Sequence, residues 1–105
     1  MRESKVESHL RKQVLLAGGT TRKWVSPGHP GVPDQIVIWP TGFSHTPDRH
    51  RDPNPAVIHF VECKAPGKKA RPGQAREHVR LQKLGCVVLV LDTIEKVDNY
   101  VARNK

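Results

Sequence analysis

The chain has 105 residues, 36% of them apolar, and carries a formal net charge of +8. That length suits one domain spanning residues 1–105 and leaves little room for a deep substrate cavity, favouring an open face for a large substrate or a dimer that adds surface. No segment approaches the roughly 20 apolar residues of a membrane span, and Met1 to Arg11 is charged and polar, unlike a secretory signal, so a cytoplasmic protein without membrane association is expected.

Residues 3–16 predict an amphipathic helix: Val6, Leu10 and Val14 recur at i, i+4 and i+8, Glu3 and Glu7 lie in the early turns, and Gly18-Gly19 stops it. Residues 20–25 predict a short strand, and the proline- and glycine-rich stretch from Ser26 to Pro33 a rigid loop. Gln35 to Trp39 reads as a strand, residues 40–55 as a long exposed loop, and Ala56 to Cys63 as a second strand. Val57, Ile58, Phe60 and Val61 make that strand apolar on both faces, which places it centrally. After a basic loop at 65–72, residues 74–84 predict a helix closed by Gly85 as its C′ residue. Cys86 to Leu91 predicts a third buried strand, and residues 93–101 a closing helix capped by Thr93. The order α-β-β-β-α-β-α describes an α/β protein with a mixed sheet flanked by helices. The helix at 74–84 is the crossover that makes its two flanking strands parallel.

Charge is distributed in blocks. Residues 1–23 hold six Lys/Arg against two acids (net +4) and residues 64–83 seven against one (net +6), whereas residues 24–63 hold two against four (net −2). Two basic blocks around an acidic middle are what a phosphate-backbone footprint requires, although a basic block by itself can be only a solvated surface.

Alternation along a strand puts Glu62 and Lys64 on one face, after Ile58 and Phe60. Charges at the end of a central strand are costly unless paired or bound to a metal. If the strands at 35–39 and 56–63 form an antiparallel pair, Asp34 arrives beside Glu62. Pro33-Asp34 alone is a common turn and Glu62 with Lys64 alone an ion pair. Together they are two carboxylates that repel unless a cation lies between them, and a hard divalent ion such as Mg²⁺ suits oxygen donors.

Gly31-Val-Pro-Asp34 followed by Val61-Glu-Cys-Lys64 resembles the Asp…Glu-x-Lys signature of the PD-(D/E)XK nuclease superfamily. The helix bearing Glu7, the Gly-x-Pro-Asp form of the motif, Gln74 opening the next helix and Gly85 before the last strand are similar to its virus-type replication-repair (VRR-NUC) branch. The resemblance implies a restriction-endonuclease-like core in which Asp34, Glu62 and the Cys63 carbonyl bind Mg²⁺ or Mn²⁺. It implies that Lys64 positions or activates the attacking water and stabilises the phosphorane, that Glu7 (or Glu3) supports the metal through water or a second ion, and that Gln74 orients Lys64 or a phosphate. Small members of this family resemble Holliday-junction resolvases, so the expected activity is endonucleolytic cleavage of branched DNA by a homodimer. A flap- or RNA-directed nuclease and a non-catalytic nucleic-acid-binding module are the alternatives.

Lys68, Lys69, Arg71, Arg76 and Arg80 follow the catalytic strand and are the expected DNA phosphate contacts, with His78, one turn after Gln74, as a further candidate. His29, His45, His50 and His59 are scattered and do not suggest a zinc centre. Trp24 and Trp39 read as core or dimer-interface aromatics rather than base-stacking platforms. Cys63 and Cys86 match no zinc spacing and read as reduced, buried thiols.

Overall fold

The computed structural model describes residues 1–40 and 57–105. Apart from Pro40, the expected loop at 40–55 lies outside the described residues, as do His45 and His50. The elements run α1 (Glu3–Leu16), β1 (Thr20–Lys23), β2 (Gln35–Trp39), β3 (Val57–Cys63), α2 (Pro72–Lys83), β4 (Val87–Leu91) and α3 (Ile94–Asn104). This is the α/β order expected from the sequence.

The four strands form one mixed sheet in the order β1-β2-β3-β4. β2 pairs antiparallel with both β1 and β3, and β4 runs parallel to β3. β3 is therefore internal, whereas β4 is an edge strand and not the fully buried one expected: Val87 is exposed and only Val88 and Leu91 are buried. Cys86, just before β4, is half-buried, while Cys63 is buried; both thiols are free.

The core lies on one face of the sheet. Val6, Leu10 and Val14 of α1 and Val97, Tyr100 and Val101 of α3 pack with Val37, Trp39, Val61, Cys63 and Leu91. Val6, Leu10 and Val14 of α1 are completely buried, and each such side chain contributes about 1.5–3 kcal/mol, far more than the intrinsic helix propensity of so charged a segment. Trp39 is a core aromatic whose indole N–H donates to the Tyr100 hydroxyl at 2.9 Å, and that hydroxyl lies 2.7 Å from His59 Nδ1. Burial pushes the His59 pKa down and so favours the neutral imidazole.

α2 occupies the opposite face. It begins at Pro72, two residues earlier than expected, because proline needs no helical N–H at the first position and Arg71 serves as N-cap. Gln74 is consequently the third residue of the helix. At the far end Gly85 has φ +97°, and Cys86 N–H donates to the Leu81 carbonyl at 3.1 Å, the hydrogen bond of a Schellman stop. Thr93 caps α3 as expected, its Oγ1 accepting from Lys96 N–H at 3.0 Å. No helix among the described residues is long and apolar enough to cross a membrane.

Candidate active site

The β2–β3 hairpin assembles the site. Gln35 lies opposite Val61 in the antiparallel register, so the next pair outward is Asp34 and Glu62. Asp34 Oδ1 accepts a hydrogen bond from the Cys63 backbone N–H at 3.2 Å, and the Asp34 carbonyl accepts from Trp24 N–H at 3.0 Å. The indole of Trp24 packs on Phe60 with ring centroids 4.9 Å apart. Gly31 has φ +94°, and a Cβ there would come within 2.9 Å of the Gly73 carbonyl oxygen. Glycine is needed at this point because the loop carrying Asp34 presses against the first turn of α2.

Glu62 and Lys64 project toward the α2 face, and both are buried: 5% of the Glu62 side chain and 10% of the Lys64 side chain are accessible. Lys64 Nζ lies 3.3 Å from Glu62 Oε2. Gln74 ties the helix to the same carboxylate, its Nε2 donating to Glu62 Oε2 at 3.4 Å while its Oε1 accepts from Arg71 N–H at 2.9 Å. The amide thus contacts Glu62, not Lys64. Glu62 Oε1 is buried and has no hydrogen-bond partner among the described residues.

The electrostatics show two carboxylates under strain. Burial, and then the charge of Glu62, push Asp34 up from 3.8 to about 7. Burial also pushes Glu62 up, partly offset by the Lys64 ammonium. A carboxyl poised near neutrality and an unpartnered buried carboxylate oxygen together fit a divalent cation held by Asp34, Glu62 and the Cys63 carbonyl. Among the described residues, no three His, Cys, Asp or Glu side chains converge closely enough to hold an ion by themselves. An ion held there would need oxygen donors besides these side chains, such as a backbone carbonyl and water.

Both acids of α1 reach this region. Glu7 acts on Asp34 and Glu3 on Glu62, in each case raising the carboxyl pKa. Glu7 Oε1 accepts from Arg11 at 2.6 Å and from Gln35 Nε2 at 3.0 Å. Gln35 is a part of the site that the sequence reading missed. It sits at the start of an apolar strand on the core-facing side, 1% exposed, and a polar side chain at such a position needs a partner.

The basic residues divide into two groups. Lys68, Lys69 and Arg71 line, with Glu3, Lys64 and Ala65, a cleft of about 470 Å³ that opens directly onto Lys64. Arg76 and Arg80 lie farther along α2, where with Ala75 and Val79 they line a separate cleft of about 390 Å³. Arg80 is also engaged, donating to Glu77 Oε1 at 2.9 Å, and Glu77 receives His29 Nε2 at 3.0 Å. His78 is corrected as a phosphate contact. It shares the face of Gln74 as expected, but that face turns inward, leaving the ring 6% exposed with Nε2 unpartnered. Burial and then the Lys64 ammonium push its pKa down, so it is a neutral imidazole beneath α2.

A hairpin that brings Asp34 to Glu62-x-Lys64 at one end of a mixed sheet defines a nuclease of the PD-(D/E)XK type. A solved VRR-NUC domain superposes with a TM-score of 0.78 at 32% identity, covering 98% of this chain and 97% of that one. "Putative nuclease p44" of Acyrthosiphon pisum secondary endosymbiont phage 1 is 46% identical over 93 residues, spanning 89% of this chain and 85% of that protein. No family model matches the sequence. The chain belongs to the VRR-NUC family of nucleases.

Proposed function

We propose that residues 1–105 form a single metal-dependent endonuclease domain that hydrolyses DNA phosphodiesters, selects branched DNA such as four-way junctions, and works as a homodimer. The observation that carries the reading is the convergence of Asp34 and Glu62 beside a buried Lys64, with Glu62 Oε1 unpartnered, at the mouth of a basic cleft. Asp34, Glu62 and the Cys63 carbonyl would hold Mg²⁺ or Mn²⁺, which supplies positive charge against the phosphoryl oxygen and makes water more acidic.

The remaining work falls to the chain itself. Lys64 brings an ammonium to the scissile phosphate, where it positions the attacking water and offsets charge that grows in the transition state. Gln74 steadies Glu62 through the hydrogen bond described above, so Lys64 meets a carboxylate of fixed orientation. Lys68, Lys69 and Arg71 draw the DNA backbone across the cleft, and Arg76 and Arg80 extend that positive surface along α2. Family resemblance supports the junction substrate, because a two-fold dimer offers paired sites to a symmetric junction.

The test is cleavage mapping with Mg²⁺ or Mn²⁺ on four-way junction, flap, linear duplex and RNA substrates, with Asp34→Ala as control. Paired symmetric nicks in the junction that vanish in Asp34→Ala are expected. Preference for flaps or RNA overturns the substrate assignment, and DNA binding with no cleavage under any metal overturns the enzymatic one.

A further inference from the structure

Glu7 is the third carboxylate of the site, and its surroundings differ from those of Asp34 and Glu62. Its side chain is 14% exposed, and a single oxygen, Oε1, faces Arg11 at 2.6 Å, Gln35 Nε2 at 3.0 Å and Lys23 Nζ at 3.7 Å. Arg11 lies one helical turn further along α1. Lys23 ends β1 and pairs in register with Gln35, the residue after Asp34, so strand pairing itself carries the ammonium to this end of the sheet. Glu62, by contrast, keeps a buried oxygen with no partner among the described residues. The Asp34–Glu62 side thus sets two carboxylates against the single ammonium of Lys64, whereas the one carboxylate of Glu7 already faces two cations.

We propose that Lys23 and Arg11 stand in for a second metal ion, so that the site takes one divalent ion, on the Asp34–Glu62 side. An ion arriving at Glu7 would meet a guanidinium and an ammonium on the same carboxylate and would have to displace them. Glu7 then shapes the field around Asp34 without ligating a metal, and Gln35 fixes its orientation. This inference rests on the metal reading proposed above.

The experiment counts ions without reading cleavage. The full chain, free of DNA, is titrated with Mn²⁺ while free Mn²⁺ is followed by electron paramagnetic resonance. The wild type is expected to bind a single ion per chain and the Arg11→Met/Lys23→Met variant twice as many. Lys23→Gln, a change at a mostly exposed side chain, serves if the double variant does not fold and should show the same added, weaker ion, whereas Lys23→Arg should not. Two ions on the wild type overturn this inference alone. An unchanged count in variants that are folded also overturns it. No ion on the wild type overturns the metal reading and this inference with it.

Discussion

Replacing Asp34 by Asn should stabilise the metal-free protein. A carboxyl held up from 3.8 to about 7 costs roughly 4 kcal/mol to ionise in the folded chain. Asp34 keeps part of its surface in water, and screening reduces the figure to about 2 kcal/mol. Between about pH 4 and pH 7 the folded chain retains a proton on Asp34 that the unfolded chain has lost. Wild-type stability therefore falls as pH rises through that window and levels off above about 7. Asn preserves the acceptor for Cys63 N–H and carries no charge, so its advantage should be near zero at about pH 4 and about 2 kcal/mol at about pH 8. In a domain of this size that is a rise of roughly 8–16 °C in Tm. The assay is urea unfolding followed by tryptophan fluorescence at both pH values, with a chelator present. Mg²⁺ should narrow the gap at about pH 8 by stabilising the wild type. If Asp34→Asn is no more stable than wild type at about pH 8, or its gain does not depend on pH, the account of Asp34 as an electrostatically costly carboxylate is wrong.

Three other consequences can be measured. Replacing Lys68, Lys69 and Arg71 together by Ala should flatten the slope of log affinity against log salt for DNA by about 2–3, and an unchanged slope would place the DNA elsewhere. Tyr100→Phe strips the partner from the Trp39 indole and the His59 imidazole and should cost about 2 kcal/mol or more in unfolding free energy, while cleavage per folded molecule stays at the wild-type rate. Glu77→Gln weakens the contact that ties His29 to α2, along with the Arg80 pair within the helix, and backbone amides near residues 26–31 should exchange faster with far-UV circular dichroism unaltered. Unaltered exchange there would mean that Glu77 does not tether the loop.

The hairpin that makes the site was legible because it depends on local signals. Alternation fixed the side of Glu62 and Lys64, and the short path from β2 to β3 in the chain favoured antiparallel neighbours, so Asp34 had one place to go. The start of α2 was hidden because Arg71-Pro72-Gly73 has the composition of a loop, and only the tolerance of a first helical turn for proline reconciles it with Gln74 at the third position. His78 shows the limit of helical phase: the sequence gives the face shared with Gln74 but not whether that face looks out to solvent or in to the sheet. Glu77 is the lone acid in the block at 64–83, and its burial between His29 and Arg80 depends on a loop distant in sequence. The cluster of Gln35, Lys23 and Arg11 on Glu7 requires the β1–β2 register and the docking of α1 on the sheet, which no single stretch of sequence encodes.

The central claim, that Asp34, Glu62 and Lys64 are the reacting centre, is tested most directly by single-turnover cleavage of a four-way junction by wild type and Lys64→Met, with Mn²⁺ and DNA binding measured on the same samples. Lys64→Met should bind ion and DNA but cleave at least about 100-fold more slowly, the loss expected when one preorganised charge is removed from the transition state. Cleavage by Lys64→Met at close to the wild-type rate would contradict that claim.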